Sequence, residues 1–191
     1  MNPTSSEPRL SKSTTRTRYR EMETAKNRTG IADFIRERLT ERFIDPVEST
    51  PREQKHGFTT MALSCLLVET LESFWHGWPD SKGKSQEAFE KFLNRAGPFR
   101  EFAPHAKKFF YGVRCGLLHQ GETTRGWRVV RNGPLFAEKT LTINATVFHR
   151  RLGHEINAYA EMLRTLDWEA KRWKKFRDKM DAICRNCDRL P

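Results

Sequence analysis

The sequence predicts an all-α helical bundle with a small β-hairpin inserted before the penultimate long helix. Along most of the chain, apolar residues recur every three or four positions, the spacing that places them on one face of a helix. One stretch, residues 125–143, instead has short apolar runs on either side of Asn132-Gly133, a two-residue hairpin signal. The length of 191 residues suits one main domain with extended ends.

Composition divides the chain into three parts. Residues 1–28 are rich in Ser, Thr and Arg and nearly free of large apolar side chains, so we expect a disordered basic N-terminal arm. Residues 29–166 should form the helical domain, and residues 167–191 a basic C-terminal helix. For the arm and the last helix, a solvated surface and a nucleic-acid contact are both open interpretations.

Two helices are predicted in the first half of the domain. Residues 31–43 carry apolar side chains three and four apart. A longer, more apolar helix should follow, with Thr50 as its N-cap, Pro51 at its first position and Glu53 completing a capping box. It should close at Gly77 and be the most buried helix of the bundle.

Three more helices follow from their start and stop signals. Ser85 should cap a short helix that Gly97 ends, and Pro104 should open another that ends near Gly121. After the hairpin, Asn144 should cap a long amphipathic helix.

The charge balance points to a polyanionic partner. The chain has 35 Lys and Arg against 24 Asp and Glu, a net charge of +11, and excess positive charge favours binding to nucleic acid. No apolar stretch approaches the ~18 residues of a membrane helix. The first twenty residues also lack a secretory signal. We therefore expect a cytoplasmic protein that does not bind membranes.

The four cysteines fit a reducing compartment. Cys65 and Cys115 have apolar surroundings, where a free Cys behaves as a small hydrophobe. Cys184 and Cys187 form a lone C-x2-C pair, which is either one half of a metal site or two incidental thiols. Because there is no second pair, we favour the thiols and expect neither a metal nor a cofactor.

An Arg and a His at the end of one predicted helix have the clearest chemical potential. A guanidinium can grip a phosphate and stabilise charge developing on it, and an imidazole can move protons. His119 lies in a final helical turn, where unpaired carbonyls favour the imidazolium. Together, Arg114 and His119 could cleave RNA without a metal, through attack of the 2′-hydroxyl on the adjacent phosphorus.

The spacing of this pair leaves its geometry open. Positions five apart differ by roughly 140° around a regular helix, so the two side chains would not share one face. Either the helix is distorted, with Gly116 lowering the cost, or both groups border a cleft closed by another helix or subunit. The plain alternative is an exposed Arg and a helix-terminal His with no joint role.

Residues 109–122, FFYGVRCGLLHQGE, place Arg114 and His119 in an Arg-x4-His pattern on a late helix. This pattern resembles the hallmark of HEPN domains, which occur in prokaryotic toxins and defence proteins. Accompanying segments similar to those of one HEPN-like branch are residues 66–74, Gly77, residues 83–85 and Trp127. The resemblance covers roughly residues 55–165 and leaves out the N-terminal arm and the last helix.

The resemblance implies a HEPN-like fold and a metal-independent endoribonuclease that acts as a homodimer. Arg114 and His119 would be catalytic, and the two Arg/His pairs would face each other across a cleft between subunits. RNA would be the substrate, and an antitoxin or another defence-system protein a further partner. Glu69 resembles an acidic residue that supports the motif in relatives by holding the Arg; its alternative role is to pair with a surface charge.

Three further residues are candidates for substrate binding: Tyr111, Gln120 and Lys107. Tyr111 lies one turn before the motif Arg, and core or dimer packing is its alternative role. Many active relatives carry a polar residue directly after the Arg, where this chain has Cys115, a weak hydrogen-bond partner. The second hypothesis is therefore a catalytically inactive HEPN-like module that binds RNA or protein.

Overall fold

The computed structural model of the protein describes residues 7–51 and 53–187. It is predominantly helical with one small sheet, as the sequence predicts for the coarse class. The α-helices are α1 (Arg16–Thr24), α2 (Arg28–Leu39), α3 (Asp45–Glu48), α4 (Gly57–His76), α5 (Ser85–Arg95), α6 (Ala106–Phe109), α7 (Gly116–Gln120), α8 (Ala145–Thr165) and α9 (Lys171–Cys187). The strands are β1 (Arg128–Val130), β2 (Phe136–Ala137) and β3 (Thr142–Asn144). Two segments are π-helical, Thr40–Ile44 and Phe110–Cys115, and two are 3-10 helical, Gly97–His105 and Glu138–Thr140.

Helix α4 is the centre of the bundle and packs against α5, α8 and α9. Its apolar residues extend around most of its circumference, and Leu67, Val68 and Phe74 are almost completely buried. The helix ends at Gly77, whose φ of 72° lies in the left-handed region that favours glycine. The prediction of a long, buried helix that closes at this residue is confirmed.

A cluster of aromatic rings holds the helical segment that carries the Arg-x4-His motif. Phe148 of α8 contacts Phe99, Phe102 and Phe109, with ring centroids 4.7, 5.6 and 5.7 Å away. All four rings are buried. Because aromatic pairs at these separations stabilise one another beyond their buried area, the cluster fixes the approach of residues 97–120 to the rest of the bundle.

The prediction of a disordered N-terminal arm is wrong for residues 7–28. Thr15 caps α1 through its side chain, and Tyr19 and Leu10 are buried in the core. The Leu10 carbonyl accepts from the Arg38 guanidinium, and Glu37 accepts from two serine hydroxyls of this segment. A few apolar anchors and local polar pairing therefore order a stretch whose composition is typical of disorder. Residues 1–6 lie outside the described residues.

The predicted start of α4 is also wrong. The helix begins at Gly57 rather than at Pro51, and the hydroxyl of Thr50 donates to the Pro46 carbonyl instead of capping α4. In contrast, Asn144 caps α8 as predicted, since its side chain accepts from the Val147 amide at 3.1 Å.

The predicted hairpin is replaced by a different pairing. Strand β3 lies between the other two strands, parallel to β1 and antiparallel to β2, so β1 and β2 do not pair across Asn132-Gly133. Pro134 has no amide hydrogen to donate to a ladder directly after the turn. The Asn144 side chain donates instead to the Gly133 carbonyl at 2.7 Å, which ties the turn to the start of α8.

The C-terminal helix belongs to the same core as the domain before it. Helix α9 packs on α4 and buries Trp173, Phe176 and Met180. A last helix is present as predicted, over Lys171–Cys187, but it is not a separate unit. Residues 188–191 of the predicted helix lie outside the described residues. Among the described residues, no helix has both the length and the apolar composition needed to cross a bilayer.

Candidate functional site

The Arg-x4-His motif lies where the helix is distorted. Arg114 is in the π-helical segment Phe110–Cys115, which continues directly into α7, and His119 lies in the last turn of α7. A π-helical turn holds more residues than an α-helical turn, so each residue rotates less around the axis. The helix is therefore distorted at Arg114, which is a feature of one of the two geometries that the spacing left open.

Two glycines explain how this segment packs. The Gly112 carbonyl accepts from the Thr124 amide at 2.7 Å, and a methyl group on Gly112 would overlap the Trp127 indole. One turn later, a Cβ on Gly116 would lie 2.5 Å from the Glu122 carbonyl oxygen. The loop after α7 thus packs directly against the backbone of residues 112–116, a close approach that is possible because both contact positions are glycines without a Cβ.

Glu69 holds the motif Arg. Its Oε1 accepts from the Arg114 Nε at 2.8 Å, and the two side chains are only 8% and 17% exposed. The Phe110 ring lies 5.6 Å from the guanidinium carbon. Of the two roles that the sequence left open for Glu69, the contact with Arg114 is the one present.

Two serines occupy the other oxygen of the same carboxylate. The hydroxyls of Ser81 and Ser85 both donate to the Glu69 Oε2 at 2.7 Å. Both oxygens are therefore engaged, and the carboxylate is held in one orientation. Sequence reasoning missed Ser81 as a site residue, and it predicted Ser85 only as a helix cap, although the hydroxyl of Ser85 points across to α4.

This arrangement leaves the two terminal nitrogens of the Arg114 guanidinium without a hydrogen-bond partner among the described residues. Arg114 donates through Nε alone, and its two terminal nitrogens make no hydrogen bond to any residue that the structure describes. Because the paired terminal N–H groups match the geometry of two phosphate oxygens, a fixed Arg of this kind can bind a phosphate and stabilise charge that develops on it.

Three other predicted site residues lie on the surface. His119, Gln120 and Lys107 are exposed, and none of them makes a side-chain hydrogen bond or ion pair within the described part of the chain. The structure therefore brings Glu69 and Arg114 together, while His119 contributes an accessible imidazole five residues further along the same helical segment.

Tyr111 is held within the protein rather than open to a substrate. Its hydroxyl donates to the Gln86 Oε1 at 2.8 Å, and the guanidinium carbon of Arg125 lies 4.8 Å from its ring centroid. These contacts favour the packing role that the sequence left open for this residue.

The environment of the buried thiol near Arg114 disfavours a thiolate. Cys65 is buried, and burial raises the pKa of its thiol while the nearby charge of Arg114 opposes that shift. Burial also raises the pKa of Cys184 at the C-terminal pair. Within residues 7–51 and 53–187, no group of three or more His, Cys, Asp or Glu side chains is arranged to hold a metal ion.

Glu69→Gln should lower the free energy of unfolding by about 1–2 kcal/mol. An amide presents one acceptor and one donor group where three donors now converge, and the Arg114 charge loses its partner. Urea denaturation measures the change. The matched control is Glu87→Gln, which removes an exposed pair with Lys91 at 3.5 Å and should cost less than about 0.5 kcal/mol. Equal, small changes in both variants would contradict the role of Glu69 as the centre of this network.

Comparisons of the chain with protein-family models, with curated proteins and with solved structures find no match. The site itself combines a guanidinium fixed through Nε with an exposed imidazole five positions further along the same helical segment. A guanidinium can bind a phosphodiester, and an imidazole can move protons.

Proposed function

We propose that the protein is a metal-independent endoribonuclease of the HEPN type with a HEPN-like helical fold. One observation carries the proposal: Glu69 fixes Arg114 through Nε, so the terminal nitrogens remain open for a phosphate. The net charge of +11 supports RNA as the partner. As part of the same proposal, the protein acts in the cytoplasm as a toxin or phage-defence effector, and an antitoxin or another defence protein restrains it.

In the proposed reaction, the ribose 2′-oxygen bonds to the adjacent phosphorus while the bond from phosphorus to the 5′-oxygen breaks. Arg114 stabilises the charge on the non-bridging oxygens. His119 takes the proton of the 2′-hydroxyl and delivers a proton to the departing 5′-oxygen, so that no net proton is gained or lost. The products are a 2′,3′-cyclic phosphate and a 5′-hydroxyl end.

The proposed enzyme is a homodimer, because two exposed apolar side chains lie near the ion pair of Glu69 and Arg114. Leu66 lies one turn before Glu69 and is 40% exposed, and Leu118 lies one turn after Arg114 and is 39% exposed. Residues one turn apart share a helix face. A homodimer formed through this face would cover both leucines and bring the two copies of His119 towards one cleft.

Leu118→Asp should convert the proposed dimer to a monomer, because a carboxylate on this face would lose its hydration in the interface. Size-exclusion chromatography with light scattering measures the mass. The matched control is Val130→Asp, since Val130 has nearly the same exposure, 38%, but lies on the edge strand β1. A wild-type chain that is monomeric at all concentrations would contradict the dimer.

The test of the proposed activity is incubation of the protein with total tRNA in EDTA, followed by analysis of the new ends. We expect 2′,3′-cyclic phosphates. A second candidate function, RNA binding without turnover, is favoured by Cys115, a weak hydrogen-bond partner directly after Arg114. Salt-sensitive retention of RNA without cyclic ends would support that second function.

A further inference from the structure

A small cleft of about 320 Å³ opens beside Glu69. Ser81, which donates to the Glu69 carboxylate, lines it, as do Asp80 and Lys179. The other oxygen of Glu69 holds Arg114, so the carboxylate that borders the cleft is also the one that holds the guanidinium.

The charges of the cleft do not favour an anion. Glu69 is neutralised by Arg114, and the remaining charged residues that line the cleft are one acid and one base, Asp80 and Lys179. Burial lowers the pKa of Lys179, and the nearby carboxylate of Asp80 partly opposes that shift. A pocket with balanced charge and both donors and acceptors suits a neutral group with a hydrogen-bonding edge.

The two charged side chains keep hydrogen-bonding capacity for a ligand. The Asp80 Oδ1 accepts from the Lys82 amide at 2.9 Å, and no residue that the structure describes donates to its Oδ2. The Lys179 ammonium donates to the Pro79 carbonyl at 2.9 Å and has two further hydrogens. Phe43, which packs against the core, supplies apolar surface along the same cleft.

We propose that this cleft binds the guanine base of the nucleotide that carries the attacking 2′-hydroxyl. The N1–H and amino group of guanine form a pair of donors that matches a carboxylate, here Asp80. Its O6 and N7 acceptors match an ammonium, here Lys179. Unstacked RNA bases are commonly recognised on such edges and against apolar or aromatic side chains, here Phe43.

The inference rests on the proposed ribonuclease function and deepens it by naming the base that is read. The other bases fit less well. Adenine has no acceptor at its 6 position for an ammonium, and uracil and cytosine present no pair of adjacent donors to a carboxylate. The assignment also gives the C-terminal helix α9 a role in recognition through Lys179.

Binding of four nucleoside 3′-monophosphates to the intact protein tests the cleft without any need for turnover. Calorimetry should show that 3′-GMP binds at least about fivefold more tightly than the adenosine, cytidine and uridine compounds. In Asp80→Asn this preference should disappear, while the turn at Lys82 is kept because an Asn oxygen can accept the same amide. Asp178→Asn, which removes a half-buried acid of α9 that pairs with Lys174 at 3.4 Å, should leave the preference unchanged.

Sequencing of the ends made from a random single-stranded RNA then separates the two proposals. Wild type should leave guanosine at the cyclic phosphate end, and Asp80→Asn should lose this bias. If RNA is cut but the four nucleotides bind equally, or if Asp80→Asn keeps the preference, the base assignment is wrong and the ribonuclease stands. If 3′-GMP is preferred through Asp80 but RNA is not cut, the cleft is supported and the catalytic proposal fails.

Discussion

Arg114→Ala and His119→Ala should each slow cleavage of RNA at least about 100-fold, because each removes a group that acts in the transition state. The loss should be the same with and without EDTA. Rates of tRNA cleavage in excess chelator, with thermal unfolding of each variant as a check of folding, measure the effect. His119 is exposed, so its replacement should leave stability nearly unchanged.

Two exposed residues of the same types are the controls. Arg100 and His154 are exposed and stand outside residues 109–122, so Arg100→Ala and His154→Ala should retain wild-type rates. Cleavage that EDTA abolishes, or that persists undiminished in both Arg114→Ala and His119→Ala, would contradict the proposed chemistry. Loss of activity in all four variants would point instead to a general effect of charge on RNA binding.

The parts of the fold that short-range patterns determine could be predicted. Three such features depend on residues within a few positions of one another: the apolar residues around most of α4, the end of α4 at Gly77, and the cap of α8 at Asn144. The order of residues 7–28 could not be predicted, since it depends on distant partners such as Arg38, which holds the Leu10 carbonyl. The strand pairing was missed for the same reason, because β3 reaches β1 from beyond the turn.

The residues of the candidate site also differ in whether neighbouring or distant sequence positions determine their contacts. Arg114 and His119 stand out in the sequence because they lie close together in a recognisable pattern. The contact between Glu69 and Arg114 spans 45 positions. It was predicted only as one of two open roles for Glu69, the one that the resemblance implies. Ser81 and Lys179 had no sequence signal, since a serine in a loop and a lysine on a basic helix usually face solvent.

Gly112→Ala should lower the free energy of unfolding by about 3 kcal/mol, at the upper end of the cost of overpacking. The added methyl group would meet the Trp127 indole, which is 3% exposed and packs against Phe109 and Phe136 with ring centroids 5.5 and 5.7 Å away. The indole therefore cannot move aside without disturbing the aromatic core. Urea denaturation measures the loss.

Gly153→Ala is the control that separates crowding from backbone effects. Gly153 lies within α8, and a Cβ on it would be 3.8 Å from the Ile44 Cδ1, an ordinary van der Waals contact, so its replacement should leave stability unchanged or raise it by up to about 1 kcal/mol. The methyl group of Gly112→Ala would also push on the helical segment that carries Arg114. RNA cleavage should therefore fall by more than the unfolded fraction of the variant explains. Full stability and full activity in Gly112→Ala would show that the packing of the loop against the motif helix does not position the guanidinium.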